Sequence, residues 1–400
     1  MNGKAYTGPV NLGSATSATL ALPENSSAAN QVYALTLTNS SQPSFLATTT
    51  LTVDRPKVVT FLAPGGSFPA LYESFGPGLA VDPSGNVWAT GYDYSTLLEA
   101  PLGASPTGLV NFPSVTVSGV SSLDGPEGIA VDPSGNVWVA NYSNDTVTEI
   151  PAGSTPGSTP VVFSGSSYSF SNPYAIAVDP SGNVWVANYS NDTVTEIPAG
   201  STPGSTSVVF SGSSYSFDSP EGIAVDPSGN VWVANYYGDT VTEIPKGSPS
   251  ATPVVFRGSS YSFSHPYGIA VDSSGNVWVA NYSSGTVTEI PKGSPSATPV
   301  VFPNSWFDGG AESVAVDGAG NVWVGTYYGL TEIPAGSTPS STPVIFSSSL
   351  LDAAGAYYGG EFFSIAVDQS GNVWLVNYYR GDLQELVGVA APRKSSVPLL

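Results

Sequence analysis

Apolar and polar positions along this chain alternate in short runs, and the runs recur. Gly128-Ile129-Ala130-Val131 ends at the turn-forming cluster Asp132-Pro133-Ser134-Gly135-Asn136. Val137-Trp138-Val139-Ala140 follows, then the polar stretch Asn141-Tyr142-Ser143-Asn144-Asp145, then Thr146 to Ile150, closed by Pro151 and Gly153. A Ser/Thr/Pro/Gly linker leads to Val161-Val162-Phe163. Each run is rich in β-branched and aromatic residues and stops at residues that supply turns, so the pattern predicts four short strands. No segment carries an apolar 3.6-residue period, and almost no helix is expected.

The unit A-V-D-x-x-G-N-V-W occurs seven times, marked by Trp88, Trp138, Trp185, Trp232, Trp278, Trp323 and Trp374, at spacings of 45 to 51 residues. Residues 131–159 and 178–206 are identical. Four antiparallel strands per repeat at this period describe one propeller blade, whereas a β-sandwich needs roughly 100 residues per unit. The prediction is an all-β, seven-bladed β-propeller. No copy of the V-V-F strand follows the seventh Trp; it stands at the front, in Lys57-Val58-Val59-Thr60-Phe61. An N-terminal strand clasp should therefore close the last blade, which also removes exposed sheet edges. The domain reading is a Ser/Thr-rich β segment over 1–56, a remnant of an immunoglobulin-like domain in its alternation, the propeller over 57–388, and a loose tail over 389–400.

The pattern P-x-G-I-A-V-D-x-x-G-N-V-W-V-A-N closely resembles the NHL repeat, with Asn141 where that consensus has Asp. Streptogramin lyases and gluconolactonase-like hydrolases share related propellers. The resemblance implies the fold; on so versatile a scaffold it does not carry function with it.

Nine basic residues face thirty acidic ones, a formal charge of −21, and only 10% of residues are charged. Without Lys/Arg clusters, nucleic acid and membrane surfaces are poor partners. No apolar run reaches the roughly 20 residues of a membrane span. The neutral polar composition suits a bacterial extracellular or cell-surface protein, although MNGKAYTGPV has no signal-peptide core. The chain has no cysteine, which removes thiol chemistry.

The seven Asp of D-x-x-G-N invite a calcium reading, but Asp and Asn cap their own turns, and a motif present in every blade is read as scaffold. The Trp side chains are assigned to packing between blades, their indole N–H groups meeting carbonyls. Function is sought where repeats differ. The residue before Gly-Ile-Ala, at the channel mouth, runs Pro77, Glu127, Tyr174, Glu221, Tyr267, Glu312 and Phe363. This ring of alternating carboxylates and aromatics suits a cation or sugar hydroxyls. The loops of the last two repeats diverge as well. Trp306, Phe307, Tyr357 and Tyr358, with Tyr92, Tyr94, Tyr327, Tyr328, Tyr378 and Tyr379, predict an aromatic sector over blades six, seven and one. The single histidine, His265, stands near the mouth, but the resemblance to streptogramin lyases implies a companion histidine that this chain lacks.

The expectation is a monomeric, non-catalytic binding propeller that recognises glycan or protein. No cofactor is expected, a divalent cation such as calcium being the one candidate. A metal-dependent lyase or hydrolase using Glu127, Glu221, Glu312 and His265, and a structural surface protein, stand as alternatives.

Overall fold

The computed structural model describes residues 31–39, 42–53, 57–61, 78–92, 95–105, 109–247, 251–292, 298–347, 351, 362–377 and 382–390. The chain divides into two units, 1–57 and 58–400. In the first, Gln31–Asn39 pairs antiparallel with Gln42–Val53 as a two-stranded hairpin.

The second unit is built of seven four-stranded antiparallel sheets. Blades one to six span 79–113, 126–163, 173–210, 220–256, 266–302 and 311–347. The seventh takes Ser364–Val367, Val373–Asn377 and Asp382–Val387 from the end of the chain and Lys57–Phe61 from its front. The clasp joins first to last as the missing V-V-F strand required. Strand alternation sends Val58 into the core between blades six and seven and Val59 into the core between blades seven and one. The tail reading needs one correction. Val389 and Ala390 are buried in the blade six–seven core, where Ala390 N–H donates to the Gly371 carbonyl at 2.9 Å, because two more apolar residues fit that seam.

Seven apolar clusters hold the ring together, one at each blade interface, and each contains one repeat Trp. Trp138, for example, lies against Phe163 of its own outer strand, centroids 5.3 Å apart, and faces Ile176, Val184 and Val186 of blade three. Its indole N–H does not meet a carbonyl. It donates to the Asp132 carboxylate at 3.2 Å, and the other six tryptophans do the same at 3.0 to 3.5 Å. Asp132 also accepts from the backbone N–H of Ser134 and Asn136 and from Asn136 Nδ2. With four donors on it, this carboxylate is a turn hub, which settles its role as scaffold. Gly135 completes the turn at φ +89°, a region only glycine enters freely. Asn136 Oδ1 then accepts from Ala152 N–H, tying the hub to the end of the third strand.

Candidate functional site

The opposite end of the blades builds the channel mouth. Asn141 ends the second strand fully buried, its amide donating to Thr146 and Thr148 hydroxyls at 3.0 Å each. The chain then turns through four residues, 142–145, before Thr146 pairs back with Asn141. Tyr142 N–H donates to the Gly125 carbonyl of the loop leading into the same blade. Asp145 Oδ1 accepts from Asn172 N–H in the loop leading into the next blade, at 2.7 Å. Asp192 and Asp239 repeat this clamp on Ser219 and His265. A tyrosine is thus presented at one place in each of blades two to five: Tyr142, Tyr189, Tyr236 and Tyr282.

The inner strands supply the second set of groups. Gly78, Gly128, Gly222 and Gly268, each following a ring position, are required by close approach: a Cβ on Gly128 would sit 2.6 Å from the Tyr174 carbonyl oxygen. Neighbouring inner strands therefore draw together, and their preceding residues converge on the axis. Tyr174 and Tyr267 meet across it, hydroxyl to hydroxyl at 2.7 Å, with Phe363 6.5 Å from the Tyr267 ring.

The two sets form one basin of about 260 Å³, lined by Glu127, Glu221, Phe363 and the tyrosines 92, 142, 174, 189, 236, 237, 267 and 282. Its rings fall into two triads, Tyr142–Tyr174–Tyr189 and Tyr236–Tyr267–Tyr282, with centroids 6.1 to 6.4 Å apart within each. The Tyr174–Tyr267 contact joins them. Below lies a narrower channel space of about 190 Å³, lined by small and branched inner-strand residues together with Tyr267, Glu312 and Phe363.

Burial pushes the Glu221 carboxyl up to about 8. Tyr174 and Tyr267 are raised well above the ordinary phenol value, first by burial; Tyr174 is raised further by Tyr267, Glu127 and Glu221, and Tyr267 by Glu221 and Glu127, against a smaller lowering by its hydrogen bond to Tyr174. Burial lifts Tyr236 to about 12, as it does Tyr189, which is also hydrogen-bonded to Tyr237. All these phenols stay neutral at physiological pH, and Glu221, poorly solvated, is largely in its acid form there.

Of the ring residues, Glu127, Tyr174, Glu221, Tyr267 and Phe363 come together in the basin, and Glu312 joins Tyr267 and Phe363 at the channel below. The proposed sector over blades six, seven and one does not assemble in the same way. Tyr92 lines the basin. Trp306, 7% exposed, and Phe307, 2% exposed, instead pack into the core between blades five and six. There Trp306, in the 3-10 turn Asn304–Trp306, replaces the buried Tyr215 or Tyr261 of other repeats, and its carbonyl accepts from Thr331 as Tyr215 accepts from Thr242. Tyr327 and Tyr328 meet edge to face, centroids 4.6 Å apart, outside the basin. The cause is loop length: Thr326 pairs with Gly329, so blade six turns in two residues where blades two to five use four. Pro77, Tyr94, Tyr357, Tyr358, Tyr378 and Tyr379 lie outside the described residues.

The tyrosines of the repeated N-Y dipeptide were missed because repetition was read as scaffold. Their signal was present: a large, costly ring at a turn position where a polar residue would serve. His265 Nδ1 lies 2.8 Å from Ser283 Oγ, and its ring abuts Tyr236 at 4.6 Å. Among the described residues, no three His, Cys, Asp or Glu side chains come within reach of one metal ion. No helix among them is long and apolar enough to cross a membrane.

The NHL repeat profile matches residues 123–148 and 217–241, in blades two and four. No curated protein matches the sequence. The fold is similar to that of a catalytically inactive virginiamycin B lyase from Staphylococcus aureus with quinupristin, at TM-score 0.63 and 14% identity over 83% of this chain and 99% of that one. It is similar to YCF48 bound to D1 peptide, at 0.58 and 11% over 83% and 94%. A third likeness is to the extracellular domain of a hybrid two-component system from B. thetaiotaomicron, at 0.59 and 16% over 84% of this chain and 41% of that one.

Proposed function

From the premise that this chain is a propeller carrying NHL repeats, we propose that it is a non-catalytic binding protein acting outside the cell or at its surface. It recognises a glycan or protein ligand through the tyrosine–glutamate basin. The observation that carries this reading is the basin itself: a concave, aromatic-walled site with a few convergent polar groups, at a position where closed β folds take ligands. Tyr side chains offer contact area at low entropic cost, together with a hydroxyl for orientation. Nothing comparable supports catalysis. The His265 ring contacts Ser283, Tyr236 and Tyr237, and no carboxylate among the described residues orients it as a base. A peptide-bound structure and an extracellular domain share the fold, which is compatible with a binding role.

The test is a glycan array and a defined peptide library probed with the wild-type chain and with a Tyr142→Ala/Tyr236→Ala variant whose fold is checked by denaturation. Binding that is lost in the variant is the expected result. Silence in both libraries, or binding that the variant retains, contradicts the proposal.

A further inference from the structure

The basin pairs aromatic walls with acidic groups. Glu127 and Glu221 line it, Glu312 lies just beneath, and none of its described lining residues is basic. A neutral sugar would use the ring walls but would make no use of the acidic lining. A bare metal ion would require carboxylates close enough to chelate it, and among the described residues no such group exists. The ligand chemistry that uses both features is a diffuse cation with an apolar skin. Its charge is attracted by the negative faces of the rings and by carboxylates that need not touch it.

We propose that the basin is a receptor for an alkylammonium head group, seated between the two tyrosine triads over Glu221. This deepens the binding reading and rests on it. Ring order favours the place: Glu221 belongs to blade four, between Tyr174 of blade three and Tyr267 of blade five, whose hydroxyls meet at 2.7 Å. The second-strand tyrosines Tyr189 and Tyr236 flank it, Tyr189 reaching Tyr237 through a hydrogen bond. The overall charge of −21 would draw a cationic ligand to the chain. The groups that act electrostatically on this place are Glu127, Glu221 and Glu312 and the phenols of Tyr142, Tyr174, Tyr189, Tyr236 and Tyr267. The phenols titrate too high to matter below pH 9. Glu221, raised by burial, ionises within the working range, so cation binding should strengthen as pH rises through about 8.

Calorimetric titration at pH 9, where Glu221 is ionised, with choline and with 3,3-dimethylbutan-1-ol, its neutral carbon analogue, tests this directly. Choline is expected to bind roughly tenfold more tightly than the alcohol, a ratio in the range of a desolvated cation–π site. Glu221→Gln should weaken choline and so bring the two affinities together. Equal affinity for the pair, or indifference of choline binding to Glu221→Gln, overturns the proposal. So does a methyl glycoside that binds in the basin where choline does not, although the binding reading then survives. Silence to every probe and to both libraries defeats both readings. A peptide bearing trimethyllysine, set against free choline, distinguishes a protein-borne ammonium by its tighter binding from a free amine.

Discussion

Blades two to five and blade six share the same turn hub, yet they spend their aromatic residues differently. In the four near-copies, the tyrosine after the second strand reaches the axis through a four-residue turn and opens onto the basin. In blade six, the turn is two residues, Tyr327 and Tyr328 meet each other edge to face, and Trp306 and Phe307 fill the seam between blades. In blade six divergence restores packing, while the basin combines the repeated turn tyrosines with the varying inner-strand residues Glu127, Tyr174, Glu221, Tyr267 and Phe363. Repetition need not mean scaffold alone, because four equivalent turns around one axis bring Tyr142, Tyr189, Tyr236 and Tyr282 to the wall of one basin.

The contrast is broken most sharply by paired substitutions. Trp306→Ala should destabilise the propeller by about 3–5 kcal/mol, the range for emptying a buried indole site. Tyr237→Ala, at a residue 58% exposed, should stay within about 0.5 kcal/mol of wild type yet weaken ligand binding. Denaturant titration of both variants checks the first half, and array binding the second. A Trp306→Ala chain of unchanged stability would return that residue to the surface.

The acidic groups give a pH signature next in size. Glu99, Glu149, Glu196, Glu243 and Glu289 are each raised above 4.5 by burial and then by the hub Asp of their own blade. Glu221 is raised to about 8 by burial alone. A carboxyl raised in the fold favours its acid form there. Its contribution is therefore full below pH 4.5 and is lost as pH rises through the folded value. Stability should decline from pH 4.5 towards pH 8, measured by thermal unfolding across that range.

How much of this could be read beforehand follows from the same physics. Seven blades, the clasp and the ring of Glu127, Tyr174, Glu221, Tyr267, Glu312 and Phe363 were legible. Strand period, turn residues and position relative to Gly-Ile-Ala fix which end of a strand faces the axis. The bonding of the indole N–H groups to Asp was not, because a carboxylate six residues upstream meets Trp only once the hairpin closes. The fate of Trp306 was hidden too, since an aromatic in a divergent loop looks the same in sequence whether it faces solvent or replaces a buried tyrosine.

The smallest expected effect is a gain. Replacing the two-residue turn 327–328 by the four-residue turn 189–192 of blade three should carry a tyrosine towards the basin and raise choline affinity roughly twofold, the scale of one more ring at a partly exposed site. No gain, with the fold intact, would show that loop length is not what excludes blade six.

The central claim is that repeated tyrosines, rather than the divergent loops, receive the ligand. It is tested most directly by fluorine NMR of the chain labelled with 3-fluorotyrosine and titrated with choline, resonances being assigned through single Tyr→Phe variants. The account predicts shifts at Tyr142, Tyr174, Tyr189, Tyr236 and Tyr267, with Tyr327 and Tyr328 unmoved. Shifts confined to Tyr327 and Tyr328, or none at the five basin tyrosines, would contradict it.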